Sequence, residues 1–138
     1  AEEQARRDAT PSIWPARGLV TSRYGWRRSP FGVGRQFHYG VDIAVPRGTP
    51  VVATADGRVV FSGWDGAFGN AVIVDHGYGY RTLYAHNAYN VVEVGDHVRR
   101  GQVLAHVGST GRSTGPHVHY EVYVNGRRVD PWKFLPDR

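Results

Sequence analysis

The chain of 138 residues contains no cysteine and no methionine, and of its 17 basic residues only Lys133 is a lysine. Without cysteine there is no disulfide framework, no thiolate-bound metal and no cysteine nucleophile. Any zinc must therefore sit on His, Asp or Glu. With a single lysine, in the C-terminal Pro131-Trp132-Lys133 segment, a lipoyl- or biotinyl-carrier role is disfavoured, because such domains need a modifiable lysine at a hairpin tip. Apolar runs are short. None approaches the ~20 residues needed to span a bilayer, and no basic-then-apolar leader stands at Ala1. A signal or membrane anchor, if the protein has one, is expected to lie outside this sequence.

What is present is an ordinary globular composition, 41% hydrophobic and 12% aromatic, with 18 glycines and a net charge of +5. The length fits one domain with a real core. The arginine-rich balance suits a polyanionic partner, or simply a solvated basic surface. Residues 1–12 are charged and are expected to be an N-terminal extension, helical or disordered, and residues 13–138 a single domain. From Pro11 to Arg35 the text reads as loop with short strands. From Val41 onward it is β in character, with candidate strands at 41–44, 50–53, 57–64, 70–75, 81–85, 91–92, 103–107 and 118–124. Turns are expected at Asp65-Gly66, His76-Gly77 and Asn125-Gly126, among others; Asp-Gly and Asn-Gly between apolar runs are strong hairpin signals. The expected fold is all-β, mostly antiparallel, with curled sheets. A weak internal echo links Val45–Ala53 with Val94–Ala105, which suits two similar half-motifs packed together.

Chemistry concentrates in two segments. In Ser113-Thr114-Gly115-Pro116-His117-Val118-His119-Tyr120-Glu121, the period of two places His117, His119 and Glu121 on one strand face. Paired imidazoles are costly to bury unless a metal uses them. The second segment, Phe37-His38-Tyr39-Gly40-Val41-Asp42, holds a histidine and a carboxylate four residues apart. A straight strand would separate them by roughly 13 Å, too far for one ion with ~2 Å bonds. The chain must then turn at Gly40, with His38 in a loop and Asp42 opening a strand. His38, Asp42 and one member of the 117/119 pair make a three-ligand catalytic zinc set. The other member, with His86 at the end of Thr82-Leu83-Tyr84-Ala85-His86, is left for proton chemistry. His97 and His106 have no assigned role. His76 is either structural or close to the site.

At these residues the chain resembles the LytM/lysostaphin-type metallopeptidases of bacterial cell walls. The His-x-x-x-Asp motif is His38–Asp42, the Tyr-Ala-His segment is Tyr84–His86, and Ser-Thr-Gly-x-His-x-His is Ser113–His119. The similarity extends from about Ile13 to Leu135. It implies His38, Asp42 and His119 as ligands of one zinc ion, with His86 and His117 as catalytic histidines. It also implies a duplicated, barrel-sandwich-like β-fold with a groove over the metal. The implied activity is hydrolysis of peptidoglycan peptide cross-links in the periplasm or extracellular envelope, by a monomer. The segment Ser22–Gly32 resembles members that cut D-alanyl–diaminopimelate bonds more than those that cut Gly–Gly bridges. Arg27, Arg28, Arg35 and Arg112 are candidates to line the groove, and Glu121 is either a partner of a site histidine or an exposed residue. Some relatives of this kind have lost ligands and only activate other wall enzymes. A nucleic-acid-binding barrel would explain the charge but not the histidine pattern.

Overall fold

The computed structural model describes residues 1–137. Twelve strands make up the β-structure of the described residues: β1 (Leu19–Ser22), β2 (Gly25–Arg28), β3 (Arg35–His38), β4 (Val41–Ala44), β5 (Pro50–Val52), β6 (Gly57–Trp64), β7 (Asn70–Gly77), β8 (Tyr80–Asn90), β9 (His97–Val98), β10 (Val103–Val107), β11 (His117–Val124) and β12 (Arg127–Val129). A single α-helix, α1 (Glu2–Ala9), precedes them, and 3-10 turns fall at Gly66–Phe68 and Pro131–Phe134. Ten strands form one sheet with the main path β1-β4-β11-β8-β7-β6-β9; β5 joins through β10, and β12 flanks β11. Strands β2 and β3 form a separate two-stranded sheet. Every pairing is antiparallel. No helix among the described residues is long and apolar enough to cross a membrane.

Alternation of side chains explains where the core lies. Val41 and Ile43 of β4, Val72 and Val74 of β7, and Val118, Tyr120 and Val122 of β11 point to one side and are fully buried together with Val51, Val59, Leu104 and Val107. The opposite face of the central strands buries a small hydrophobic cluster of Ala71, Leu83 and Ala85, flanked by Phe61, Phe68 and Tyr123, beside the buried polar residues Asp42, His119 and Glu121. The polar groups that enter the main core are tied to one another: Tyr84 Oη lies 2.7 Å from Thr82 Oγ1 and 3.1 Å from Thr54 Oγ1, and Tyr120 Oη lies 2.7 Å from Thr54 Oγ1. Such closure is what makes buried hydroxyls tolerable.

The two echoing segments meet. β5 and β10 pair antiparallel, with Val52 opposite Val103 and Val51 opposite Ala105, so the repeat in the sequence is two strands of one seam. The Asn125-Gly126 hairpin forms as its sequence predicts, both residues having positive φ (51° and 82°) as a two-residue turn of right-handed twist requires. Elsewhere the boundaries move. β7 runs through His76 and turns at Tyr78-Gly79, because His76 is held inside by Asp56 O and Thr82 Oγ1. Val91 and Val92 form no strand: Val91 N–H reaches Leu104 O and Val92 is buried, but the chain turns away through Glu93–Asp96. Helix α1 is docked at its C-terminal end, where Arg100 Nη2 donates to the carbonyls of Arg7, Asp8 and Thr10. That cation answers the carbonyls a helix end leaves unpaired.

Candidate metal centre

Strand register assembles the centre. β11 lies between β4 and β8, and His119 stands opposite Asp42 on one side and Ala85 on the other. Antiparallel neighbours face the same way, so His119 and Asp42 share a face. His119 Nδ1 lies 2.8 Å from Asp42 Oδ1. His38 comes from the other sheet. It is the last residue of β3 rather than a loop residue, and Asp42 is the second residue of β4 rather than its first. The chain does reverse between them, which brings His38 Nε2 to 3.3 Å from both Asp42 Oδ1 and His119 Nδ1. Gly40 serves this in a way its sequence position does not reveal. It needs no positive φ; instead a Cβ there would fall 2.5 Å from Tyr120 O and 2.8 Å from His119 Cε1. Glycine is required because β11 passes directly against it.

His86 reaches the site through its backbone. On β8, Leu83 and Ala85 share the face of His119, so regular alternation would send His86 to the other side. Its φ of 67° breaks the alternation, and its ring sits 4.8 Å from that of His117 and 6.0 Å from that of His119. A left-handed non-glycine residue costs on the order of 1–3 kcal/mol and such residues cluster at functional sites.

Hydrogen bonds assign the ring nitrogens. Carbonyl oxygens only accept, so His38 Nδ1–H donates to Arg23 O (3.0 Å), His86 Nδ1–H to Thr110 O (2.8 Å) and His117 Nδ1–H to Gly115 O (2.8 Å). In its neutral form each of these imidazoles turns a bare Nε2 away from that bond. His119 bonds through Nε2 to Glu121 Oε2 at 2.7 Å, leaving Nδ1 for the centre. Arg27 Nη1 donates to Asp42 Oδ2 (3.2 Å) and to Ser22 Oγ (2.7 Å), which leaves Oδ1 as the free carboxylate oxygen.

Three acceptor atoms thus converge: His38 Nε2, Asp42 Oδ1 and His119 Nδ1, all on buried residues. Zinc–nitrogen bonds of about 2.0–2.1 Å in a tetrahedron set neighbouring donors about 3.3–3.4 Å apart; two of the three separations are 3.3 Å. The residues fit the ion. The titration behaviour agrees. Burial alone would lower the His119 pKa, but its bonds to Asp42 and Glu121 outweigh it and hold the group up at about 9. Asp42 is raised by burial yet drawn far below the ordinary carboxylate range by His119 and His38. Positive charge is wanted between these groups. His86 is the reverse case: burial first, then the neighbouring His117 and His119, push it down to about 4, so it is a free base at neutral pH.

A groove of about 430 Å³ overlies the centre. The β2–β3 hairpin contributes Arg27, Pro30, Phe31 and Phe37 to it, the Gly66–Phe68 turn gives Ala67 and Phe68, and the loop before β11 gives Arg112–Thr114. Of the four arginines proposed for this lining, Arg27 and Arg112 line it; Arg28 and Arg35 do not, being paired with each other across the hairpin. Arg128 does line it, a residue that sequence reasoning missed. The Asn-Gly hairpin would have located it, since Arg128 pairs with Tyr123, two residues beyond Glu121. Glu121 is buried against His119, not exposed. His76, His97 and His106 lie outside the groove; His106 bonds to Gly48 O and stacks on Tyr89.

Comparison with known proteins agrees with this geometry. The profile of Peptidase family M23 matches residues 36–131, and the chain belongs to that family. It is 49% identical over 113 residues to the DD-carboxypeptidase/endopeptidase Mpg of Neisseria meningitidis, covering 81% of this chain and 26% of that protein. It is 38% identical over 124 residues to the murein hydrolase activator EnvC of Escherichia coli, covering 90% of this chain and 29% of that protein. Among solved structures, a zinc-containing peptidase from Vibrio cholerae superposes with a TM-score of 0.79 at 38% identity, covering 89% of this chain and 40% of that one. The chain therefore spans roughly a quarter of the length of the curated relatives it matches.

Proposed function

We propose that this domain is a zinc-dependent endopeptidase that hydrolyses peptide cross-links of bacterial peptidoglycan in the cell envelope. His38, Asp42 and His119 are the ligands in this reading, and His86 and His117 the catalytic histidines. The observation that carries it is the convergence of three lone-pair atoms at 2.8–3.3 Å beside two further imidazoles. Zinc in such a three-residue site supplies Lewis-acid activation of water and of the scissile carbonyl. The chain's own groups move the protons. His86, a free base, accepts a proton at Nε2 as water attacks and returns it to the leaving amine as the C–N bond breaks, while His117, whose Nε2 lies 3.7 Å from Asp42 Oδ1, stands beside the reacting carbonyl. Both rings are aimed by their Nδ1–H bonds to backbone carbonyls, so neither must reorient.

Of the arginines that line the groove, Arg27 is engaged by Asp42, and Arg112 and Arg128 suit the carboxylates of stem peptides. Diaminopimelate carries such a carboxylate, and the name of the Neisseria relative supports a D,D bond as the one cut. The relative described as an activator favours a second reading, a domain that binds the wall and regulates another hydrolase. Defined peptidoglycan fragments incubated with the zinc-loaded domain, with products weighed by mass spectrometry, separate the two. Cleavage between D-Ala and diaminopimelate is the expected result; binding without any product supports the regulatory reading. His119→Ala and Asp42→Ala are expected to lose zinc and activity together, whereas His117→Ala and His86→Ala lose activity and retain zinc.

A further inference from the structure

Glu121 is a carboxylate that the proposed chemistry leaves unused, yet it is 1% exposed, more deeply buried than any of the three ligands. Burying a charge at that depth costs several kcal/mol unless it is paired and hydrogen-bonded. Its two oxygens are separately engaged. Oε2 takes the His119 Nε2 contact at 2.7 Å; Oε1 accepts from Tyr123 Oη at 2.7 Å and has Arg128 Nε 3.8 Å away. All of these lie on β11 or on its hairpin partner β12, so the carboxylate is fixed by the same strand that carries the ligand.

We infer that Glu121 is a positioning residue for the metal centre: it holds the His119 proton on Nε2 and so reserves Nδ1 for the ion. The inference rests on the reading of His38, Asp42 and His119 as ligands. Without Glu121, the single proton of a neutral His119 has a better place. Nδ1 is already 2.8 Å from Asp42 Oδ1, and a proton there would bond the two ligands to each other and close the centre. The ring could also turn over and present Nε2 instead. Glu121 disfavours both alternatives by fixing a buried acceptor 2.7 Å from Nε2 on the far side of the ring. Carboxylates that orient ligating histidines in this way are worth about 10–100-fold in metal affinity.

The test uses the whole chain, zinc alone as the probe, and two variants. Glu121→Gln keeps a carbonyl oxygen that accepts from Nε2–H; Glu121→Ala does not. Zinc affinity is read by competition with a chromophoric chelator, and the metal-bound nitrogen of His119 from ¹⁵N shifts of the zinc-loaded protein. Wild type and Glu121→Gln are expected to bind through Nδ1 with affinities within about tenfold of each other. Glu121→Ala is expected to weaken zinc about 10–100-fold and to show mixed Nδ1 and Nε2 coordination. A folded Glu121→Ala with affinity within about threefold of wild type overturns the inference, as does a wild-type His119 bound through Nε2. Should the alanine variant fail to fold, Glu121→Gln decides: a loss beyond about 100-fold overturns the orienting role. A wild-type protein that binds no zinc overturns the ligand reading itself.

Discussion

Substituting Gly40 by alanine tests the packing that builds the centre. The added Cβ would stand 2.5 Å from Tyr120 O, 2.8 Å from His119 Cε1 and 3.0 Å from His119 Nε2. Tyr120 O must retreat to at least 3.0 Å, a shift of about 0.5 Å, and it belongs to a strand laddered to both β4 and β8. Backbone held on two sides does not yield cheaply; overpacking of this kind costs about 1–3 kcal/mol. For a domain of this size each kcal/mol moves the midpoint by about 4 °C, so Tm is expected to fall by about 4–12 °C. The same methyl pushes the His119 ring away from its bond with Glu121, so zinc affinity falls as well. Differential scanning calorimetry and chelator competition measure the two effects. Gly32→Ala is the control, because its Cβ would meet nothing within 4 Å and its φ is not positive; it is expected to stay within about 0.5 kcal/mol. A Gly40→Ala protein with wild-type Tm and undiminished zinc binding would refute the close-approach reasoning.

Three further outcomes are expected. Tyr84→Phe removes the hydroxyl that meets Thr54 and Thr82 in the core, leaving buried partners unpaired at a cost of about 1–3 kcal/mol in urea unfolding; an unchanged midpoint would contradict the closed network. Burial holds the His76 pKa below its ordinary 6.5 despite its bond to Asp56 O. The unfolded chain therefore binds the extra proton, and the associated stability is complete above pH 6.5 and lost as pH falls below it. His86 acts in the same direction, its stability going between pH 6.5 and about 4, and His119, held up at about 9, acts in the opposite one, so the test is the difference from wild type: His76→Gln should shift the change in Tm from pH 7.5 to 5.5 in favour of the lower pH; an identical change would count against the assignment. Arg112→Glu and Arg128→Glu are expected to raise KM on stem-peptide substrates several-fold in low salt, with a smaller difference in high salt as screening takes hold; salt-independent KM values would speak against a carboxylate-binding groove.

How much of this was legible depends on the range of each determinant. The cluster of His38, Asp42 and the 117/119 pair was legible because a four-residue spacing across glycine and a period of two on one strand are local signals; the choice of His119 within the pair came from the family resemblance and not from the spacing. Asn125-Gly126 encoded its own turn. His86 was harder, since its side chain points into the site only through a φ of 67°, which no alternation pattern predicts. Gly40 was recognised as necessary for the wrong reason: the constraint is Tyr120, 80 residues away, and contact across the fold leaves no mark on the neighbouring sequence. Arg28, Arg35 and Arg128 show the same limit. Nearness to a motif in sequence put two arginines in the groove that pair elsewhere, while strand pairing brought in one that lies beyond the last motif.

The three proposed ligands do not all belong to one sheet. Asp42 and His119 sit in the ten-stranded sheet, and His38 ends a two-stranded ribbon that shares no ladder with it. A cation at the centre would therefore also bridge the sheet and the ribbon, beside the Arg27–Asp42 ion pair and the Arg27–Ser22 hydrogen bond that cross the same joint. The ribbon carries Phe31 and Phe37, part of the groove's lining. The candidate ion site and one wall of the groove therefore meet at a single joint in the fold.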